Sequence, residues 1–234
     1  MVRLVLGKEY RPMLLKLIPM LFFVVLFMPL SQGMGEQQLS QVLGGIKKRY
    51  GQLAGLSVPY EREVLTKSMA MLGDQMKTNV ASGKFFFKPP HFLKVEQDTP
   101  TKEDLITDGE LLWWYIPEKK QAHRIPSSKL ARELRLLADI FQGLRGVEES
   151  FVVVLVGEDE KGITLELTPN PPWPDVHHIN LLIDPRDYLI GKVEVYNIMG
   201  GLTRFTFGKV TEQKKFKQDF FTFVPPDGVR VVEE

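Results

Sequence analysis

The spacing of hydrophobic and polar residues predicts a chain made mostly of β-strands. Apolar residues recur at helical spacing over 36–52, where they form one stripe. A second stripe of this kind runs over 128–144, and Gly143 or Gly146 can end that helix. Nearly all of the remaining pattern alternates with a period of two residues or forms short β-branched and aromatic runs, which are typical of strands.

The predicted strands are the segments 57–67, 79–88, 91–97, 104–107, 110–116, 121–126, 151–157, 162–168, 176–183, 189–198, 202–210 and 219–224. Tight-turn residues separate several neighbours, as at Gly157–Gly162, Asp184–Asp187 and Gly200–Gly201, which predicts antiparallel hairpins. No alternation of strands with helices and no internal repeat is visible in the sequence. The expected fold is therefore mainly β with a few helices, in one antiparallel sheet of about eleven strands that must curl.

Large apolar side chains are expected on both faces of this sheet. Phe85 and Phe87 share one face of their strand while Phe86 points to the other, and the adjacent Trp113 and Trp114 must also diverge. A second apolar face needs either a second layer or a cavity. A concave face closed by the helix over 128–144 would enclose an apolar cavity suited to acyl chains. Ordinary core packing is the alternative explanation of each single aromatic residue.

The N-terminal segment has the pattern of an export signal. Positive charges precede an apolar run over Leu17–Leu30, and small residues follow at 31–33. We interpret residues 1–33 as a cleavable signal peptide and residues 34–234 as one domain. A single membrane anchor is the alternative, although the 14-residue run is shorter than the roughly 20 residues that cross a bilayer.

Composition narrows the possible classes of protein. The chain has no cysteine, so disulfides, acylation at a cysteine and cysteine-based metal sites are excluded. Without residues 1–33 it carries 26 basic and 28 acidic residues, a balance that does not indicate nucleic-acid binding. Stability must therefore come from an apolar core.

The sequence lacks the common catalytic patterns. Its four histidines are scattered, and none is spaced with a glutamate as in a zinc protease helix. Nucleophile-elbow, phosphate-loop and dinucleotide motifs do not occur. We therefore expect no enzymatic activity, no catalytic residue, no metal site and no cofactor.

Four segments together resemble the periplasmic outer-membrane lipoprotein carrier family, LolA. They match the family's Arg-Pro-x-x-Phe, Ser-Asp-Gly-x-x-Leu-Trp, Leu-x-Leu-x-Pro and Phe-x-Phe-x-Pro-Pro-x-Gly-Val patterns. In this chain the four segments are Lys88–Phe92, Thr107–Trp113, Leu165–Pro169 and Phe221–Val229. Their order and spacing extend over essentially the whole chain after the signal.

The resemblance implies an open half-barrel of eleven antiparallel strands with helices closing its concave apolar side. It also implies a periplasmic carrier that takes acylated lipoproteins from an inner-membrane ABC transporter to an outer-membrane receptor. The expected form is a monomer. The alternative is a periplasmic sensing domain of the same fold that binds lipid or lipoprotein and restrains a membrane partner.

The apolar stripes and the resemblance together predict the lipid contacts, which are Phe85, Phe87, Phe92, Val95, Leu112, Trp113, Leu134, Leu137 and Phe141. Trp113 is expected to line the cavity because the family pattern has its tryptophan there, and Trp114 to pack in another layer. Lys88 replaces the family's arginine and is expected to contact the lid or a partner without the planar arginine fork. The Pro169–Pro174 loop, with Trp173, has no expected role beyond a stiff connection.

Overall fold

The computed structural model describes residues 30–67, 79–126, 132–144 and 146–234. Within them lie three α-helices, α1 (Leu30–Gly51), α2 (Arg132–Phe141) and α3 (Val147–Ser150). Most of the expected signal peptide, and residues 128–131 of the second predicted helix, fall outside the described residues. No helix in the described ranges is both long and apolar enough to cross a membrane.

The described strands number thirteen and belong to one sheet. They are β1 (Leu56–Leu65), β2 (Asn79–Lys88), β3 (Phe92–Thr99), β4 (Glu103–Thr107), β5 (Leu111–Ile116), β6 (Gln121–Pro126), β7 (Phe151–Asp159), β8 (Gly162–Pro169), β9 (Val176–Ile183), β10 (Ile190–Asn197), β11 (Leu202–Phe207), β12 (Thr211–Glu212) and β13 (Arg230–Glu233).

The sheet is open, with the order β13-β6-β5-β4-β3-β2-β1-β11-β10-β9-β8-β7 and with β12 paired to β1. All neighbours are antiparallel except β13 and β6. The predicted fold class is confirmed, and the count exceeds eleven because β12 and β13 are short additions. The predicted strand over 219–224 is wrong, since those residues form turns and irregular chain.

The two faces of the sheet differ in what covers them. We call the face under α1 and α2 the inner face and the opposite one the outer face. On the inner face, Val42 and Ile46 of α1 and Ile140 of α2 are buried in one cluster with side chains from both halves of the sheet. This cluster is the main core of the protein, and its burial supplies the stabilisation that disulfides do not.

The helix α1 is held against the β9–β10 turn by a close approach and a hydrogen bond. A Cβ atom on Gly45 would overlap the Tyr188 ring, whose nearest atom would be 2.5 Å away. The backbone N–H of Ile190 donates to the Tyr50 hydroxyl at 3.0 Å, in a buried position. Glycine at 45 therefore lets the helix approach closely enough for Tyr50 to reach the sheet.

The C-terminal segment, residues 213–229, crosses the outer face. It begins after β12, which pairs with β1, and ends at β13, which pairs with β6. Four strands, β2 to β5, lie between β1 and β6, so the segment spans roughly 24 Å at about 4.8 Å per strand spacing. The outer face of β2 to β5 is thus covered by the chain's own C-terminus.

The turn between β4 and β5 explains the Asp-Gly pair of the motif. The Asp108 carboxylate accepts hydrogen bonds from the backbone N–H groups of Glu110 and Leu111 at 2.9 and 3.0 Å. Gly109 adopts a φ of +96°, which favours glycine. Partial burial acts to raise the pKa of Asp108, but the backbone N–H donors prevail and lower it.

Candidate functional site

An aromatic cluster fills the inner face between the sheet and α2. The Phe85 ring lies 4.4 Å from Tyr60, 5.8 Å from Phe141, 6.3 Å from Phe205 and 6.0 Å from Phe207, measured between ring centroids. These rings come from β1, β2, β11 and α2. The two halves of the sheet therefore meet at one apolar centre, and side chains occupy it in this conformation.

Most of the predicted lipid contacts gather around this centre. Five of them belong to the inner cluster with at most 3% exposure, and these are Phe85, Phe87, Val95, Leu137 and Phe141. Leu112 is also buried and shares the inner face by register, since it pairs with Thr107, which pairs with Leu93. Leu134 belongs to α2, but its side chain lies outside the described residues.

Two predicted contacts lie on the other face. Phe92 pairs with Lys88 and Trp113 pairs with Ile106, positions that alternate with the inner residues of their strands. The Phe92 ring is 5.6 Å from Phe221 and the Trp113 ring 5.3 Å from Phe223. The register therefore places both residues on the outer face and not in the inner cluster. There the C-terminal segment covers them as a second layer.

Trp114 lies on the inner face, which reverses the expected assignment of the two tryptophans. It pairs with Leu105, which pairs with Val95. Its indole N–H donates to Glu103 Oε2 at 2.9 Å, and its ring stacks on His123 at 5.0 Å. Because Leu112 faces inward and successive side chains alternate, Trp114, two residues further along the strand, must also face inward.

The inner face carries a polar group near the aromatic centre. Arg62 Nη2 donates to Gln97 Oε1 at 3.4 Å, and Gln97 Nε2 donates to the Thr101 carbonyl at 2.9 Å. The Arg62 Nε is buried without a hydrogen-bond partner. Burial raises the pKa of Tyr60 to about 12, although the Arg62 charge acts to lower it.

This raised pKa predicts a loss of stability at high pH. The unfolded tyrosine titrates near 10, so the Tyr60 contribution is complete below pH 10 and is lost as the pH rises towards about 12. At 1.36 kcal/mol per pKa unit, a shift from 10.0 to about 12 corresponds to a loss of about 2–3 kcal/mol. Denaturant unfolding of the parent and of Tyr60→Phe across this range checks it. A parallel decline in both proteins would contradict the assignment.

Lys88 lies away from the inner cluster. It is exposed at the end of β2, and its Nζ lies 5.3 Å from the centre of the Phe92 ring on the outer face. The contact is a cation–π interaction of a partly exposed pair. The expectation that Lys88 contacts a lid or partner stays a prediction.

The Pro169–Pro174 loop forms part of a cavity that the sequence did not indicate. The Trp173 ring packs edge-on against Phe151 at 5.3 Å. A cavity of about 270 Å³ is lined by Leu136, Asp139, Glu149, Ser150, Phe151, Asn170, Pro171 and Trp173. It lies where α2, α3 and the start of β7 meet, and it contains two carboxyl groups beside an indole ring. The one sequence feature that could have indicated this cavity is the tryptophan in the proline-rich loop.

Metal-ligating side chains do not come together in the part of the chain that the structure describes, where no group of three or more is found. The neighbouring His177 and His178 contact each other through their Nδ1 atoms at 2.7 Å, and His178 stacks on Tyr196. This histidine pair lies at the start of β9.

The fold and this site define a class of protein. Its members have one open, mainly antiparallel sheet, and the face of the sheet that the helices cover is apolar and aromatic. The model of the family "Outer membrane lipoprotein carrier protein LolA" matches residues 70–224. That range extends from just before β2 into the C-terminal segment. The chain belongs to the LolA family, as its four motif segments predicted.

Individual relatives agree with this family. An outer-membrane lipoprotein carrier protein of Nitrosospira multiformis is 24% identical over 194 residues, covering 82% of this chain and 88% of the relative. One of Coxiella burnetii is 22% identical over 207 residues, covering 87% and 89%. A crystal structure of an uncharacterised conserved protein from Thermus thermophilus has a TM-score of 0.54 at 10% identity, covering 85% of this chain and all of that one, and so shares the fold.

Proposed function

We propose that this protein is a periplasmic carrier that shields the acyl chains of lipoproteins on its inner face and transfers them from the inner to the outer membrane. Family membership over residues 70–224 carries the proposal. The relatives named as outer-membrane lipoprotein carriers support it, as does an inner face built from aromatic and aliphatic side chains. No chemical step is required of the protein.

The physical need for shielding is large. Three acyl chains contain on the order of forty methylenes, and exposing them to water costs on the order of 30 kcal/mol at about 0.8 kcal/mol each. Such a cargo does not cross an aqueous space unassisted. A carrier must offer apolar area without fixed polar anchors, so that the cargo can be released again.

The inner cluster can supply that area if α2 separates from the sheet. Phe141 of α2 now lies 5.8 Å from Phe85 and 6.0 Å from Phe87. Acyl chains entering here would replace the α2 side chains as the partners of the sheet. The cargo and α2 thus compete for one surface, and this competition limits the affinity so that release remains possible.

The export signal proposed for residues 1–33 would deliver the mature domain, residues 34–234, to the periplasm. There we propose an inner-membrane ABC transporter as the donor of cargo and an outer-membrane receptor as its acceptor. The carrier would act as a monomer between them.

The adjacent tryptophans provide a direct test of the binding face. Two single-tryptophan proteins are compared, one that keeps Trp114 (Trp113→Phe, Trp173→Phe) and one that keeps Trp113 (Trp114→Phe, Trp173→Phe). A triacylated lipopeptide with brominated acyl chains quenches an indole that it contacts. We expect strong quenching of Trp114 and little of Trp113, because Phe223 packs on Trp113. The reverse result would place the acyl chains on the outer face.

A transfer assay separates carriage from sensing. The mature protein is incubated with inner-membrane vesicles that hold labelled lipoprotein and then with outer-membrane vesicles. A carrier removes the label from the first membrane and delivers it to the second. Binding of the lipopeptide without any transfer would contradict carriage and favour the sensing alternative.

A further inference from the structure

The strand β7 forms an edge of the sheet that can accept another strand. It spans nine residues, and among the described strands it pairs only with β8. A bulge in the pairing near Val156 leaves the stretch from Phe151 to Leu155 regular. Within the described ranges no strand pairs with the other side of this stretch, whose backbone groups can therefore pair with a further antiparallel or parallel strand.

The outer side of β7 is apolar and exposed. Val152, Val154 and Val156 are 52%, 48% and 60% exposed. No proline or charged residue interrupts Val152–Val156, although such residues commonly protect free edges. The opposite edge is protected, because β13 has only four residues with Arg230 and Glu233 at its ends.

Acidic residues flank β7 at both ends. Glu148 and Glu149 precede it, and Glu158, Asp159 and Glu160 close it, so that the stretch 145–162 holds five acidic residues against two basic ones, Arg145 and Lys161. Both ends of the exposed apolar stretch therefore carry a net negative charge.

These charges identify the kind of partner. If β7 paired with a second copy of itself, antiparallel or parallel, one acidic end would face another, which is repulsive. A partner with basic residues at the two ends of an apolar extended segment would instead be attracted. Charge therefore disfavours self-pairing and favours a basic peptide segment.

We propose that β7 is a docking strand for an extended segment of another protein. This segment has β-branched residues at its centre and lysine or arginine at its ends. The interaction uses backbone pairing for binding and charge for selection. It is independent of the proposed lipid-binding face, because the valines lie on the outer side of the sheet.

The test uses a dye-labelled peptide, Lys-Lys-Val-Thr-Val-Thr-Val-Lys-Lys, and a matched peptide with glutamate in place of each lysine. Fluorescence anisotropy without lipid measures the binding of each to the mature protein. We expect the lysine peptide to bind at least about tenfold more tightly, and its binding to weaken with added salt. Equal binding of the two peptides would overturn the proposal.

Two matched variants locate the binding. Val154→Lys puts a charge on the edge strand β7, while Val80→Lys puts the same charge at a position of 40% exposure on β2, an interior strand of the sheet. We expect about tenfold weaker binding for Val154→Lys and little change for Val80→Lys. Glu149→Gln should weaken binding about twofold to fivefold. Equal effects of the two lysine variants would contradict docking at β7.

Sedimentation of the same proteins tests whether β7 instead pairs with a second copy of this chain. If the parent formed a dimer that Val154→Lys abolished, β7 would be a self-interface and the proposal would be wrong. Circular dichroism confirms that each variant is folded. Because no lipid is present, a failure here leaves the carrier proposal unaffected, and a failure of lipopeptide binding leaves this one unaffected.

Discussion

Replacing Phe85 by alanine is expected to lower the free energy of unfolding by about 3–5 kcal/mol. Phe85 is 2% exposed and its ring lies within 6.3 Å of four other aromatic rings, measured between centroids. Removing the ring leaves a cavity where both halves of the sheet and α2 meet. Denaturant unfolding measures the difference, and Ile198→Ala, at a position of 63% exposure, serves as the control.

The size of this loss also bears on the proposed function. A loss near the upper value means that the inner cluster is a closely packed core that cargo must open. A loss below about 1 kcal/mol would contradict the packing described, because so small a cost requires a site that is already loose or collapses readily.

Deleting residues 213–234 is expected to cost on the order of 5 kcal/mol, since one buried and three half-buried phenylalanines are removed and each contributes about 1.5–3 kcal/mol when fully buried. The deletion uncovers Phe86, Phe92 and Trp113 on the outer face, which contact Phe220, Phe221 and Phe223. It also removes β13 from the edge of β6. Unfolding experiments and the solubility of the shortened protein measure the effect.

Single substitutions keep this prediction testable if the shortened protein does not fold. Phe223→Ala removes the ring that packs on Trp113 and Tyr115 and should cost about 1–3 kcal/mol. Val224→Ala, one residue further and 77% exposed, should change stability by less than about 0.5 kcal/mol. Equal effects of the two would mean that the segment does not cover the outer face as described.

The layers that cover the two faces of the sheet are attached in different ways. On the inner side, α2 contributes only part of the cover, and the carrier proposal requires acyl chains to replace it. On the outer side, the C-terminal segment is tied at both of its ends, by β12 to β1 and by β13 to β6. In the carrier proposal, access to the outer side would require strand pairing to break, whereas access to the inner side would require α2 to move.

The sequence by itself determined the local structure and the family. Period-two alternation placed Phe85 and Phe86 on opposite faces, and turn residues separated the hairpins, because both depend only on neighbouring residues. The motif segments also predicted the family that matches residues 70–224. Of the six predicted lipid contacts on the inner side, Phe85, Phe87, Val95 and Leu112 lie on strands, and Leu137 and Phe141 lie on one face of α2 at helical spacing.

Only the tertiary structure decided which face of each strand is the inner one. Alternation requires Trp113 and Trp114 to diverge, but their sides depend on the register of β5 against β4, and so on contacts with β3 and β2. The second apolar layer could not be predicted from the sequence either, because the segment over 219–224, which the pattern predicts as a strand, crosses the sheet instead of joining it. Its phenylalanines pack against Phe92 and Trp113, which lie far earlier in the chain. Burial between such distant segments leaves no periodic signal in the sequence.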